Sequence, residues 1–363
     1  MKIFGTKRNA DHIAKKGGKA KKVIITLLVL ALLLGGGAYA FMTLFVRPPE
    51  PQDLVPPRET PSINQTQADP VPPDDFATES EQPDILTLLI AGQDDVGEYG
   101  LSDTVMLVAL DVTNGRVNVI NIPRDLKVDG PAPKINAVYA MTGGSMDRLM
   151  EAAEAITGFM PQNYVMLDMQ AFADLVDVID GVYFDVPRRM LYDDPYQDLH
   201  INLEAGWQHL NGDQALQFVR WRQNNDGTGL IDGDLGRIGH QQDFMRALAG
   251  ELLQIGNVAR IGDIARIFTE YVETDLYLGN IVWFAQQLMS MDSENITFLT
   301  IPNYEAVING GYYQVIQLEE WLEMLNAYLN PSAYEIREEN LRVFAWTNGS
   351  VQLVGEGLAF VTR

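Results

Sequence analysis

Val23–Val46, twenty-four consecutive residues without a formal charge, constrain this chain more than any other feature. In a helix rising about 1.5 Å per residue they cover roughly 36 Å, enough to cross a hydrocarbon core of about 30 Å. Residues 1–22 carry eight Lys/Arg against one acid, Asp11. The positive-inside rule therefore puts the N-terminus in the cytoplasm and everything after Arg47 outside. A cleaved signal peptide is the rival, with Val23–Leu34 as its apolar stretch and Ala38-Tyr39-Ala40 as a small-residue site. The long basic lead and the apolar continuation through Phe41–Val46 favour a retained single-pass anchor.

Residues 47–83 hold ten of the chain's 18 prolines, mixed with Gln, Asp, Glu, Thr and Ser. Such sequence cannot bury enough apolar surface to fold, and it reads as a semi-rigid extracytoplasmic spacer. Beyond it, 84–363 has the apolar content of a folded domain. Ile85–Gly92 is an apolar run ending in glycine, the signature of a buried strand feeding a loop. Val105–Asp111 and Arg116–Ile122 flank Val112-Thr113-Asn114-Gly115, an Asn-Gly hairpin signal. Helices are predicted over Ser145–Thr157, Met169–Asp180, Asn211 to about Phe218, Ile238–Gln254, Val258–Tyr271, Leu278–Met291 and Leu318–Leu329. Strands are predicted at Gly181–Pro187, Ile296–Ile301 and Leu341–Trp346. This interleaving predicts an α/β class with a mixed central sheet and helices on both faces.

Charge and residue usage exclude several functions. Outside the basic tail the chain has 18 basic and 48 acidic side chains, a body that repels phosphate backbones, so nucleic acid is not an expected partner. The absence of cysteine removes thiolate metal sites and cysteine nucleophiles. His12, His200, His209 and His240 form no metal-binding spacing, and no GxSxG elbow occurs.

What remains is a set of acids and arginines at element ends. Asp94 and Asp95 follow the first strand, and Asp103 precedes the second in Ser102-Asp103-Thr104. Loop solvation or turn capping accounts for most such aspartates. Two carboxylates converging from neighbouring strands would instead suit a hard cation such as Mg²⁺. Arg124 follows a strand in Ile-Pro-Arg-Asp, Arg220 and Arg222 flank Trp221, and Arg237 closes Asp234-Leu235-Gly236-Arg237. If the chain is extended as it leaves the helix, Arg220 and Arg222 point to one side. Surface ion pairing is one reading of these arginines, and a local trap for phosphate oxygens is the other.

At these residues the sequence resembles the LytR-CpsA-Psr family of extracytoplasmic membrane enzymes. The resemblance runs from about Ile85 to Leu253 and rests on motifs in family order. They are Ser102-Asp103-Thr104, Ile122-Pro123-Arg124-Asp125, Lys134 to Tyr139 (KINAVY), Phe172 to Val182 (FADLVDVIDGV), Asp185-Val186-Pro187, Leu210 to Leu216 (LNGDQAL), Phe218 to Arg222 (FVRWR), and Asp234 to Gln242 (DLGRIGHQQ). The resemblance implies a phosphotransferase that moves a glycopolymer, of teichoic acid or capsular type, from a polyprenyl-pyrophosphate carrier to peptidoglycan. By motif position Asp94 and Asp103 would bind Mg²⁺, with Mn²⁺ as a substitute. Arg124, Arg220, Arg222 and Arg237 would hold the pyrophosphate, with Lys134 and Gln241 nearby. Asp234 is a candidate general base. An apolar pocket for the polyprenyl tail is also implied.

This sequence departs from the family pattern at Val96, Leu101 and His240, where many members carry arginine. Residues 255–363 match only weakly, and Trp346-Thr347-Asn348-Gly349 resembles the opening of a second domain found in some relatives. The missing cations leave two alternatives open: a non-catalytic binder of polyprenyl-phosphate lipids, or a polyprenyl-pyrophosphate hydrolase. A transcription attenuator, the role attached historically to such proteins, fits poorly with a 22-residue cytoplasmic tail.

Overall fold

The computed structural model describes residues 46–49, 85–93, 100–195, 199–229, 233–252, 260–332 and 334–357. The expected membrane helix (23–46) lies outside them except for Val46, and the spacer (47–83) except for Arg47, Pro48 and Pro49. Among the described residues no helix is long and apolar enough to cross a membrane.

The chain begins its sheet with β1 (Ile85–Gln93), β2 (Ser102–Asp111) and β3 (Arg116–Ile122). A helical turn, α1 (Val138–Met141), and α2 (Met146–Thr157) then lead to β4 (Asn163–Leu167) and α3 (Met169–Val178). Two small hairpin-like units follow, β5 (Val182–Val186) with β8 (Gly206–Leu210), enclosing β6 (Met190–Asp194) with β7 (Leu199–Leu203). Next come α4 (Gly212–Arg220), α5 (Gly233–Leu252), α6 (Ile261–Tyr271), β9 (Val272–Thr274), α7 (Leu278–Met289) and β10 (Ile296–Thr300). The C-terminal part is β11 (Asn303–Ile308), β12 (Gly311–Ile316), α8 (Leu318–Tyr328), β13 (Val343–Thr347) and β14 (Ser350–Val354).

The central sheet has the order β10-β3-β2-β1-β4-β9. β1, β2 and β3 are antiparallel neighbours, β4 pairs parallel with β1, and β10 pairs parallel with β3, so the sheet is mixed as expected. The predicted hairpin forms because Asp111 organises its turn. The Asn114 backbone N–H donates to Asp111 Oδ1 (2.9 Å), its side-chain amide donates to both oxygens, and Arg116 donates to Oδ2 at 2.9 Å. Gly115 supplies the positive φ of 61° that the turn requires.

Alternation along β1 assigns the two faces. Leu89 and Ala91 join Leu107, Ile120 and Ile122 against Leu149 and Ile156 of α2 and Trp321 and Leu325 of α8. The Trp321 indole N–H donates to the Ile156 carbonyl at 2.9 Å and fixes α8 to α2. Leu86, Met106, Leu110 and Val117 face the other way, toward Trp283 and Phe284 of α7 and Met245 of α5. Helices therefore cover both faces. A separate core joins the β5–β8 and β6–β7 units to α3, α4 and α5, centred on Phe218, Trp221 and Phe244.

Caps set several boundaries. Ser145 accepts from the Arg148 N–H at the start of α2, and Asn211 forms a reciprocal capping box with Gln214 at the start of α4. α3 stops at Val178, two residues short of the predicted end, because Asp180 and Gly181 take φ of 72° and 83°. Trp346-Thr347-Asn348-Gly349 opens no further domain among the described residues. Its Asn-Gly pair, at φ 52° and 81°, is the turn joining β13 to β14.

Burial raises the Asp111 carboxyl pKa, but the hydrogen bonds from Asn114 and Arg116 outweigh that effect and hold it below its ordinary value. A depressed carboxyl pKa adds stability above the unfolded-state pKa and loses it as pH falls through the folded-state value. Asp111→Asn should therefore be less stable than the native chain in denaturant titrations at pH 7, with the gap closing as the pH drops below about 4. A gap independent of pH would assign the effect to shape rather than charge.

Candidate functional site

Between the second face of the central sheet and helices α5, α6 and α7 lies a cavity of about 1040 Å³. That is at the top of the range of about 300–1,000 Å³ found for small-molecule pockets. Its walls are apolar: Leu88 and Ile90 from β1, Val108 from β2, Val119 from β3, Phe268 from α6 and Phe284 from α7. Its polar residues come mostly from strand and helix ends, among them Asp103, Asn121, Arg124, Arg220 and Arg222, with Gln241 and Gln242 from the middle of α5.

Asp103 enters from the start of β2, where the β1–β2 register shifts beside Gln93. Its Oδ2 accepts from Arg124, which stands just beyond β3, and from Arg222 at 3.2 Å. Its Oδ1 accepts from the Asn136 amide at 3.3 Å. Arg124 Nε is buried with no hydrogen-bond partner among the described residues, although Asp125 Oδ2 lies 3.7 Å away. A buried guanidinium N–H left without an acceptor is costly, and the nearby Asp125 carboxylate offsets part of that cost.

Arg220 and Arg222 reach the cavity because α4 ends between them. Trp221 is extended (φ −64°, ψ 135°), is 1% exposed, and donates its indole N–H to Asn224 Oδ1 at 3.1 Å. Burial of Trp221 on one side sends its two neighbours to the other, as the sequence spacing predicts. Arg220 is half-buried and forms no ion pair with the described residues. Two guanidiniums thus bond one carboxylate, and a third, that of Arg220, lines the same cavity.

Two glutamines brace the arrangement. The Gln241 amide donates to the Val219 carbonyl at 2.9 Å and ties α5 to α4. The Gln242 amide donates to the Leu299 carbonyl (3.0 Å) and Thr300 Oγ1 (2.9 Å), tying α5 to β10. Lys134 does not line the cavity; it donates to Asp125 Oδ1 at 2.6 Å, so it acts behind Arg124. Asp94 lies outside the described residues, as do the side chains of Asp234 and Arg237 in α5. The motif-based reading passed over Asn136 and Gln242 as site residues, although both stand in the quoted motifs. A polar residue buried inside an apolar motif was the available signal, and Asn136 is 4% exposed.

The three departures from the family pattern have different fates. Val96 lies outside the described residues. Leu101 lines the cavity as an apolar group. His240 stacks on Phe218, with centroids 6.3 Å apart and planes 26° apart. Burial pushes its pKa below the ordinary value and Arg188 adds to this, with Asp243 opposing, so it is neutral at pH 7.

No cluster of three or more His, Asp or Glu side chains able to cage a metal occurs among the described residues. Asp103 is a hard oxygen donor, but both of its oxygens already accept from guanidinium or amide groups. A divalent ion here would need a second carboxylate and phosphate oxygens to complete its shell and offset the cationic neighbours.

Comparison with known proteins agrees with this fold. The chain is 30% identical over 228 residues to polyisoprenyl-teichoic acid–peptidoglycan teichoic acid transferase TagV of Bacillus subtilis, a match covering 60% of this chain and 56% of TagV. It is 26% identical over 308 residues to the corresponding transferase TagU of Oceanobacillus iheyensis, covering 81% and 88%. Regulatory protein MsrR of Staphylococcus aureus is 26% identical over 231 residues, covering 61% and 67%. The crystal structure of B. subtilis TagV superimposes with a TM-score of 0.57 at 27% identity, over 68% of this chain and 98% of that one. The LytR_cpsA_psr family model matches residues 58–329, further in both directions than the motif set, and three quarters of the chain. The chain belongs to the LytR-CpsA-Psr family.

Proposed function

We propose that this protein transfers a glycopolymer, of teichoic acid or capsular type, from a polyprenyl-pyrophosphate carrier to peptidoglycan. A single-pass anchor holds it at the outer face of the cell membrane. The observation that carries this reading is the union of an apolar cavity with three arginines in its lining, two of them bonded to Asp103. A prenyl chain suits the walls and a pyrophosphate suits the cationic end. The names of TagV and TagU support the reaction class.

In the reaction an acceptor hydroxyl attacks the sugar-bearing phosphorus. An O–P bond forms, the bond from that phosphorus to the bridging oxygen breaks, and polyprenyl phosphate departs with the bridging oxygen. Arg124, Arg220 and Arg222 neutralise the oxygens on which charge builds, the largest demand of phosphoryl transfer. Asp103 keeps Arg124 and Arg222 oriented before the ligand arrives. Lys134 screens Asp125, leaving the Arg124 guanidinium directed at the ligand, while Gln241 holds the segment carrying Arg220 in place. Arg237 adds a further cation, and Asp234 accepts the hydroxyl proton. Asp103 with Asp94 would hold Mg²⁺, or Mn²⁺ in its place, and the ion would supply further charge neutralisation at the pyrophosphate.

One specific observation favours a second reading, a lipid-binding protein without turnover. Leu101 is apolar and His240 is neutral where arginines would add charge. Incubating the full-length protein with a polyprenyl-pyrophosphate oligosaccharide, Mg²⁺ and a peptidoglycan fragment, followed by mass spectrometry, separates the two. A sugar–phosphate–glycan adduct that disappears with EDTA is expected; lipid retained without turnover would favour the binder, and free sugar phosphate alone would favour a hydrolase.

Substitutions test the assignments. Arg220→Ala should weaken binding of the pyrophosphate lipid roughly ten- to a hundredfold, the loss of about 1.5–3 kcal/mol for a charge-assisted bond. Arg222→Ala should cost less, because its side chain is 56% exposed and more screened by solvent. Unchanged affinity in both would return them to surface ion pairing. Asp103→Ala should abolish metal-dependent turnover without unfolding the protein, and full activity in that variant would remove Asp103 from the site.

A further inference from the structure

The stretch that follows the apolar run is docked on the domain. The Arg47 carbonyl accepts from the Asn280 side-chain amide at 3.0 Å, and Asn280, only 6% exposed, also accepts from the Tyr277 N–H at 3.0 Å. Pro49 is buried. Arg47 is the first charged residue after Val23–Val46. With at most about 3.3–3.6 Å of chain per residue, the start of α7 lies within one or two residue lengths of the end of that run.

The same corner exposes large side chains that nothing among the described residues covers. Tyr271, the last residue of α6, and Leu278, the first of α7, are each 42% exposed, and Tyr277 between them is 80% exposed. Tyrosines with an apolar neighbour suit the boundary between headgroups and acyl chains. Acids on the same stretch are already committed within the protein. Glu270 pairs with Arg266, Glu273 accepts from Tyr139, and Asp275 accepts from Asn163 and the Tyr164 N–H. The inner side of this corner is cavity wall, formed by Ile264 and Phe268 of α6, Leu276, and Ile281 and Phe284 of α7.

We infer that Tyr271, Tyr277 and Leu278 form a membrane-contacting surface, seated in the bilayer interface by the Arg47–Asn280 clamp. Helices α6 and α7 are then the wall of the cavity nearest the bilayer, the side on which a lipid chain is exchanged. This inference rests on the anchored reading given above and adds to it the face that meets the membrane. Attachment is by insertion, since the corner offers no excess of cations.

The test uses the absence of native cysteine. Full-length Tyr277→Cys and Leu278→Cys, each carrying a nitroxide, are reconstituted into phosphatidylglycerol–phosphatidylethanolamine liposomes. Tyr312→Cys on β12, where the native side chain is 77% exposed, serves as the control. Collision with lipid-soluble oxygen should exceed collision with an aqueous nickel chelate at 277 and 278, with the reverse at 312, and raising salt should not change the ratios. Protein that floats with the liposomes but shows aqueous labels at 277 and 278 would overturn the docking surface while leaving the anchor intact. Protein that does not float would overturn the anchored reading and the surface with it. Dipolar broadening at 277 with protection from both reagents would assign the corner to contact with a second copy.

Discussion

The Asp103 carboxylate is the point on which the site depends, because it joins segments that share no local sequence. It stands at the start of β2 and meets Arg124 beyond β3, Arg222 beyond α4 and Asn136 before α1. Removing it would leave two guanidiniums facing each other at the mouth of an apolar chamber, and like charges in a half-buried setting repel strongly. The ion pairs hold those guanidiniums ready for an anion, and part of their cost is recovered when phosphate oxygens approach. Such preorganisation is the main contribution a protein makes to phosphoryl transfer.

The central sheet has two faces of similar hydrophobicity with different roles. One is closed by α2 and α8, with Trp321 bonded to the α2 backbone. The other borders a chamber of about 1040 Å³ instead of a fully packed layer. Protein interiors are close-packed, and an unfilled apolar space costs stability in proportion to its volume. Such a space suits the apolar guest proposed above. The α4–α5 segment carries the polar residues that would read the head of that guest, and its own core of Phe218, Trp221 and Phe244 makes it rigid.

The sequence displayed the elements whose causes are local. The Asn114-Gly115 turn, the Ser145 and Asn211 caps and the apolar run of β1 each carry their signal within a few residues. β4 (NYVML) and β9 (VET) were not legible, since their strand character comes from pairing with β1 and with each other across long separations. β11 and β12 were legible in principle: Asn309-Gly310, at φ 52° and 82°, repeats the Asn-Gly signal read at the first hairpin. Asp103, Arg124, Arg220 and Arg222 could be picked out because each stands at the end of an element within a motif, although ion pairing alone was an equally local reading. The chamber was not, because Leu88, Ile90 and Val119 alternate like ordinary core residues and only the placement of α6 and α7 leaves the space beside them open.

The apolar chamber and the arginines should act as one binding site for one amphiphilic ligand. Titrating the full-length protein calorimetrically with prenyl pyrophosphates of increasing chain length tests it directly. Affinity should rise with each added isoprene unit until the chamber is filled, and salt should weaken binding at every length through the shared headgroup. Affinity that does not change with chain length would contradict it, because the arginines would then be binding pyrophosphate without the chamber.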